Sequence, residues 1–437
     1  MKYDVAIIGG GTAGYAAGVA LSRKGKKVVV IERDRIGGTC VNYGCVPAIF
    51  LFDIAFLYSR FVEIANYKGL DGEVDLNSFF SKLNEIINYL NEAGKKLITS
   101  SGGDVIFGEA EIISRRSVRV NDEVIEADIV VIATGTSPKM PEVEGADEAI
   151  SEDDATRLNF VPPSMVVIGG GIGAVELAQI YARLGSSVTL VSRSKVLKFL
   201  SEEARKTLLE SMEFDGVKVV ENAKIERIKS TAVVTDKGVF EGEVVVYATG
   251  RIPNIPKGAE AIGLNFSDQG ILVNSRLETN VPGIYAIGDV VGRPLKLAHL
   301  AYLDALVLTT NLTGGREEVN YRGVPAVIYA DPMVGFAGDM NEATQFVKFP
   351  LSANTRAIIK GLREGFVLLG LNDEGTIVYA EIVGDTAEEL ISVASLAIRA
   401  GMKVKDLAFS PFPHPSLSEA IVNAARAYFG LDVDTFK

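Results

Sequence analysis

A short apolar strand, a glycine-rich turn and an alanine-rich helix open this chain, and the same unit returns 160 residues later. Asp4-Val-Ala-Ile-Ile-Gly-Gly-Gly is echoed by Met165-Val-Val-Ile-Gly-Gly-Gly. The register holds through Gly9 and Gly169, Gly11 and Gly171, Gly14 and Ala174, and Gly25 and Gly185. Each copy runs on into a second strand, over residues 27–32 and 187–192. An apolar strand that meets Gly-x-Gly and then a helix is the front half of a nucleotide-binding α/β fold. Having it twice commits the chain to two such folds. A further echo supports this. Ala133-Thr134-Gly135 and Ala248-Thr249-Gly250 each close an apolar strand late in their unit.

The remaining segments fill in an α/β protein. Residues 48–65 read as a buried helix, residues 79–100 as an amphipathic helix, and residues 105–132 as short strands. The apolar run over residues 160–175 is too short to span a bilayer and is broken by prolines and glycines, so it reads as a buried strand and turn. After Pro282-Gly283 the character changes, with a helix over 297–312. From Tyr321 onward, strands at 325–329, 366–371 and 376–382 precede helices at 387–400 and 416–428, which reads as a separate α+β domain. With 437 residues, roughly two to four domains are expected. The division predicted is 1–145, 146–270, 271–320 and 321–437.

Charge and cysteine content exclude several classes. A net charge of −12 argues against nucleic acid and anionic membrane as partners. Two cysteines in so long a chain cannot be a secreted disulphide framework. A reducing, cytoplasmic setting follows. The apolar stretch from Lys2 to Leu21 is interrupted by Asp4 and carries nucleotide-binding glycine spacing, so it is not read as a signal peptide.

The first glycine motif, Gly9-x-Gly11-x-x-Gly14, lets a pyrophosphate approach a helix N-terminus, where free N–H groups favour anions. Glu32 ends the next strand, where a carboxylate can accept both hydroxyls of an adenosine ribose. The second motif, Gly169-x-Gly171-x-x-Ala174, has Ser192 in place of that acid, with Arg193 beside it and Lys195 and Lys198 following. No acid remains there to repel a 2′-phosphate, and an arginine can bind one, so this site leans to NADPH over NADH.

Cys40 and Cys45, with four residues between them, lie just beyond the first unit. As a redox pair, one sulfur attacks a disulphide and the other resolves it. Pro47 suits the first turn of a helix, whose positive end would then stabilise a thiolate at Cys45. The same residues could be inert buried thiols, or metal ligands with His299 and His414, although those histidines are widely scattered. His414, with Glu419 five residues on, has the pattern of an oriented acid–base imidazole. No metal site is expected.

Five stretches together resemble the pyridine nucleotide-disulphide oxidoreductases, most nearly their dihydrolipoamide dehydrogenase branch, with glutathione and mercuric reductases as cousins. They are Gly-Gly-Thr-Cys40-Val-Asn-Tyr-Gly-Cys45-Val-Pro, Gly169-Gly-Gly-Ile-Gly-Ala-Val-Glu176, Ala248-Thr-Gly-Arg-Ile-Pro-Asn254, Gly283-Ile-Tyr-Ala-Ile-Gly-Asp289 and His414-Pro-Ser-Leu-Ser-Glu419. The resemblance spans nearly the whole chain, in order. It implies FAD-binding, NAD(P)-binding, central and interface domains in a homodimer with a shared active site. It implies FAD held by the first glycine unit, Gly38, Thr39, Ala133, Thr134, Gly135, Asp289 and Ala298, and NAD(P)H held by the second unit and Gly250. Cys40 would meet a lipoyl or small-molecule disulphide, and Cys45 would face the flavin. His414, oriented by Glu419, would serve the thiols across the dimer.

One position departs from the family. Its second cysteine is usually followed, four residues on, by a lysine that lies near the flavin and pairs with the glutamate matching Glu176; here that position holds Ile49. The loss predicts a lower flavin potential, a weaker charge-transfer band on two-electron reduction and an unpaired Glu176. It also puts ordinary lipoamide turnover in question. A flavin NAD(P)H oxidase or transhydrogenase, and a non-catalytic flavoprotein, stay open as alternatives. Mercuric reduction is disfavoured because no C-terminal cysteine pair is present.

Overall fold

A computed structural model describes residues 2–68, 76–362 and 364–435. The chain falls into two compact units, each built from separated segments: Met1–Pro162, Glu226–Ala232 and Glu243–Asn320 in the first, and Pro163–Ile225, Val233–Gly242 and Tyr321–Lys437 in the second.

The first unit is built on a parallel sheet in the order Asp104–Phe107, Val28–Glu32, Lys2–Ile8, Glu123–Ile132. Its central strands are near-continuous Val/Ile runs because both faces are buried: Ile7, Val30 and Val131 are inaccessible. Ser117–Val120 and Ala110–Ser114 extend it as an antiparallel meander. Ile284–Ala286 returns from far along the chain to pair in parallel with Glu123–Ile132. Helix Thr12–Arg23 lies on the sheet and against helix Ala298–Leu312. Gly18 permits that packing, since a Cβ there would meet Val30 at 2.6 Å. The two Ala-Thr-Gly echoes also meet. Thr136–Pro138 and Arg251–Pro253, which follow them, form an antiparallel ribbon.

The second unit repeats the parallel pattern in Ser164–Ile168, Ser187–Val191 and Lys218–Val220, with helix Ile172–Arg183 after its glycine turn. It also holds a five-stranded antiparallel sheet in the order Pro325–Ile328, Val334–Gly338, Ile377–Val383, Phe366–Leu371, Gln345–Pro350. Helices Ala387–Arg399 and Glu419–Ala427 pack on this sheet and close a dense aliphatic core.

Most expected elements form within a few residues of their predicted limits. The amphipathic helix is Leu76–Ser100 and the late helix is Ala298–Leu312. Strands Val334–Gly338 and Gln345–Pro350 and helices Glu202–Phe214 and Val404–Ala408 were not expected. The first carries two glycines and the second is a largely exposed edge, so neither shows a strong apolar signal. The expectation of a buried helix over 48–65 needs correction. The helix exists, as Cys45–Lys68, but Leu57, Phe61 and Ile64 are exposed along its outer half. The stretch Gly38–Ala65 is the one helix among the described residues long and apolar enough, by length and composition alone, to cross a membrane.

Candidate active site

The first glycine turn is shaped by contacts that forbid side chains. A Cβ on Gly9 would lie 2.3 Å from the Ala133 carbonyl oxygen, and one on Gly14 would lie 1.9 Å from that of Gly9. The turn opens into a cleft of about 320 Å³ whose walls include Gly9, Gly11, Glu32, Gly38, Thr39, Ala133, Thr134 and Gly135. Eight of the residues expected to hold FAD are therefore brought together. Glu32 is buried at the end of its strand. Its Oε2 accepts the Gly10 N–H at 2.6 Å and its Oε1 the Asp34 N–H at 2.8 Å. A carboxylate has about four lone-pair sites, so acceptor capacity remains. Thr134 donates its hydroxyl to the Asn254 carbonyl at 2.5 Å. That tie joins the first Ala-Thr-Gly segment to the chain beyond the second; Gly250, in that second segment, has φ 102° and open space where a Cβ would stand.

Asp289 follows strand Ile284–Ala286 on a short 3₁₀ turn. Burial pushes its carboxyl above the usual range, against the pull of Arg293 and Lys296. Its Oδ1 is buried with no hydrogen-bond partner. Buried polar atoms are seldom left so, and such an orphan suits a ligand hydroxyl. The turn is held from behind. Asp304, inaccessible to solvent, accepts the Gly288 N–H at 2.8 Å and both oxygens take Arg293 Nη1, at 2.9 and 2.7 Å. Ala298 begins the helix that carries Asp304 and is half-buried. The side-chain-free turn and the orphaned Asp289 oxygen fit FAD.

The thiols sit against this turn. Helix Gly38–Asn42 is pressed on it so closely that a Cβ on Gly38 would lie 2.7 Å from the Gly11 Cα. The Gly37 N–H donates to the Gly10 carbonyl at 2.8 Å. That contact carries Cys40 to Thr12, the first residue of the next helix. Neither cysteine is in a disulphide, and Cys45 is the more exposed. The Cys40 thiol is lowered from its ordinary range, first by a hydrogen bond with Cys45 and then by one with Thr12, against burial and the charge of Asp289. The sequence had placed the stabilised thiolate at Cys45. Helix Cys45–Lys68 does begin there, with Pro47 in its first turn; the acidified Cys40 thiol adds to that expectation. Thr12 and Tyr302 went unnoticed in the sequence. The Tyr302 phenol is pushed up by burial first and then by Tyr15, Cys40 and Cys45. Thr12 was visible as a hydroxyl at a helix start; Tyr302 carried no signal.

In the second unit, Gly169 ends strand Ser164–Ile168 and Gly171 caps helix Ile172–Arg183, with Ala174 buried in its first turn. Nothing lies within 4 Å of where a Gly171 Cβ would stand. Ser192 is buried and Arg193 beside it is exposed, with no ion pair among the described residues. Lys195 is engaged by Glu202 at 2.9 Å. The expectation that Glu176 is left unpaired is wrong. Its Oε1 accepts the Tyr329 N–H at 2.8 Å.

His414 lies on the loop before helix Glu419–Ala427. Its Nδ1 is 3.0 Å from Glu419 Oε1, while Glu419 Oε2 accepts the Ser416 N–H at 2.9 Å. The carboxylate is thus fixed at both oxygens and in turn fixes the ring, leaving Nε2 for proton transfer. His414 is 68% exposed at its side chain and Glu419 only 16%. Among the described residues no cluster of three or more His, Cys, Asp or Glu could hold a metal.

Two dinucleotide turns, an orphaned acid beside one of them and an acidic thiol paired with a second define a flavin- and nicotinamide-dependent dithiol protein. Residues 3–305 match the family described as pyridine nucleotide-disulphide oxidoreductase, and residues 324–425 match its dimerisation domain. The chain belongs to this family. It is an FAD- and NAD(P)H-dependent enzyme that acts on a disulphide, and it works as a homodimer. Among its relatives, the dihydrolipoyl dehydrogenase of Staphylococcus aureus is 32% identical over 470 residues, covering 100% of this chain and 98% of that one. A dihydrolipoyl dehydrogenase of Bacillus subtilis is 32% identical over 457 residues, covering 98% and 99%. Of solved structures, LpdA from Mycobacterium tuberculosis superposes with a TM-score of 0.88 at 26% identity, covering 98% of this chain and 99% of that one. The flavoprotein disulphide reductase RclA from Escherichia coli gives 0.86 at 25% identity, covering 96% and 98%.

Proposed function

We propose that the enzyme passes electron pairs between NADPH and a lipoyl or small-molecule disulphide through Cys40 and Cys45. The observation that carries this is the acidified Cys40 thiol, hydrogen-bonded with Cys45 at the edge of the nucleotide turn. In the reducing direction the Cys40 thiolate attacks one sulfur of the external disulphide. That S–S bond breaks and a mixed disulphide forms on Cys40. The leaving thiolate takes a proton from Nε2 of His414, whose Nδ1–H is held by Glu419. Cys45 then attacks the Cys40 sulfur, the second substrate thiolate leaves, and a Cys40–Cys45 disulphide remains. Bound FAD supplies the two-electron relay between the nicotinamide and that disulphide. His414 acts on the thiols of the other subunit. Glu176 lies in the nicotinamide-binding half and serves as a positioning acid.

The functional division is FAD-binding over 1–145, NAD(P)-binding over 146–270, central over 271–320 and interface over 321–437. A cytoplasmic setting keeps such thiols in cycle. The relatives named dihydrolipoyl dehydrogenase favour a lipoyl substrate; Ile49 is the residue that argues for another disulphide. Anaerobic reduction with NADH and NADPH in parallel, followed by lipoamide, glutathione disulphide and coenzyme A disulphide, decides between them. Fastest reoxidation by lipoamide supports the lipoyl reading, and negligible reoxidation by it ends that reading. Replacing Arg193 by Ala should lower kcat/KM for NADPH about tenfold and leave NADH unchanged. Equal effects on both nucleotides would refute the 2′-phosphate role.

A further inference from the structure

Glu381 is a carboxylate at the centre of strand Ile377–Val383, in the antiparallel sheet of the second unit, and no part of it reaches solvent. It has no place in the chemistry above, and it enters no ion pair among the described residues. An isolated buried carboxylate is unfavourable unless donors surround it. Three do. The Tyr379 hydroxyl donates to Oε2 at 2.8 Å, the Ser201 N–H to Oε2 at 3.1 Å, and the Ser201 hydroxyl to Oε1. Two of the three come from one residue at the end of the loop that follows strand Ser187–Val191. That loop, residues 192–201, carries Arg193.

The loop is held at two places. At its root the Leu197 N–H donates to the Gly170 carbonyl at 2.8 Å, and the Val196 N–H to Glu221 at 2.6 Å. At its far end Ser201 caps helix Glu202–Phe214, accepting the Ala204 N–H at 3.1 Å, while Glu381 grips the same serine. Phe199 packs on Phe336 with ring centroids 5.3 Å apart, and Phe336 is the cross-strand partner of Glu381. Lys348, on the edge strand, pairs with Glu203 at 2.7 Å. The Ser201, Phe199 and Lys348 contacts seat the far end of the loop and the start of its helix on one spot of the sheet. Burying a carboxylate carries a desolvation cost that an all-apolar cluster would avoid, so its presence points to the groups it holds. The reason on display is the hold on Ser201.

We propose that Glu381 is a positioning residue: through Ser201 it fixes loop 192–201 and so sets how tightly the nicotinamide cofactor is bound. This rests on the reading that the second glycine unit takes NAD(P)H. The effect belongs to cofactor binding and not to the disulphide half-reaction.

The test uses the FAD-loaded dimer. Ser201→Ala and Glu381→Gln should each raise KM for the preferred nucleotide about tenfold, as loss of one charge-assisted hydrogen bond does. The kcat at saturating nucleotide and KM for the disulphide should stay within about twofold. Ser201→Thr, which keeps the hydroxyl, should restore the wild-type KM. Amide hydrogen exchange should quicken over 192–201 in Ser201→Ala and not over Phe366–Leu371. If Glu381→Gln fails to fold, the Ser201 pair and the exchange measurement decide alone. An unchanged nucleotide KM, or a rise that Ser201→Thr shares with Ser201→Ala, overturns the proposal. A wild-type preference for NADH would instead refute the Arg193 assignment, and the same KM comparison, run with NADH, would still judge Glu381.

Discussion

Cys40 owes its acidity to neighbours that a single substitution can remove. With its pKa lowered, the thiolate persists to lower pH than in an ordinary cysteine. Alkylation of the reduced enzyme at Cys40 should therefore stay fast as pH falls below the usual thiol range, and slow only near the lowered value. The hydrogen bond with Cys45 is the largest lowering influence. Cys45→Ala leaves burial to dominate and should move the alkylation profile to higher pH; a profile that stays put would refute the coupling. Cys40→Ser should abolish disulphide reduction while sparing any NAD(P)H oxidation by oxygen. Ile49→Lys restores a cation to the second-cysteine helix and should strengthen the long-wavelength band of the two-electron-reduced enzyme. An unchanged visible spectrum would show that position 49 does not sense the flavin. These residues were readable from their motifs. Asp304, Arg293 and Thr12 were less so, because each acts by holding a neighbour that only folding brings close.

The two glycine units show how far a shared pattern constrains an element. Both form strand, turn and helix at the same spacing, yet their third positions differ for a reason in the packing. Gly14 has the Gly9 carbonyl 1.9 Å from where a Cβ would stand, whereas Ala174 already carries one in a buried site. Gly14→Ala should cost about 2 kcal/mol or more through overpacking and should empty the protein of its yellow colour. Ala174→Gly should cost about 1 kcal/mol, as a helix glycine does, and leave FAD in place. Thermal melting and absorbance of the purified variants check both; equal losses would mean that the two turns are packed alike. Helix Cys45–Lys68 shows the limit of such reading. Its apolar composition predicted burial, but the exposed Leu57, Phe61 and Ile64 are apolar for another reason, which composition cannot separate from core packing.

At the scale of the assembled molecule the prediction concerns which subunit owns a site. If His414 serves the other subunit's thiols, a dimer formed between Cys40→Ser and His414→Gln chains has one complete site and one doubly damaged site. Random reassortment of the two inactive variants should then recover about a quarter of wild-type activity, since half the dimers are mixed. Recovery of none would place His414 and its thiols on one subunit. Each histidine must be held ready without its substrate, and the Glu419 clamp, half-buried at one end of helix Glu419–Ala427, does that within the single chain.

The glycine spacing, the thiol pair and the His–Glu pair determined the fold class, the two nucleotide turns and the chemistry. Each is a local pattern, and local patterns act through backbone conformation and a few residues of reach. What the chain could not reveal by itself were relations between distant segments. Strand Ile284–Ala286 delivers Asp289 to a sheet begun at residue 2, Glu176 finds a backbone donor at Tyr329, and Glu381 meets Ser201 across 180 positions. Those partners are chosen by packing and by the need to satisfy buried polar atoms, which only the folded chain can do.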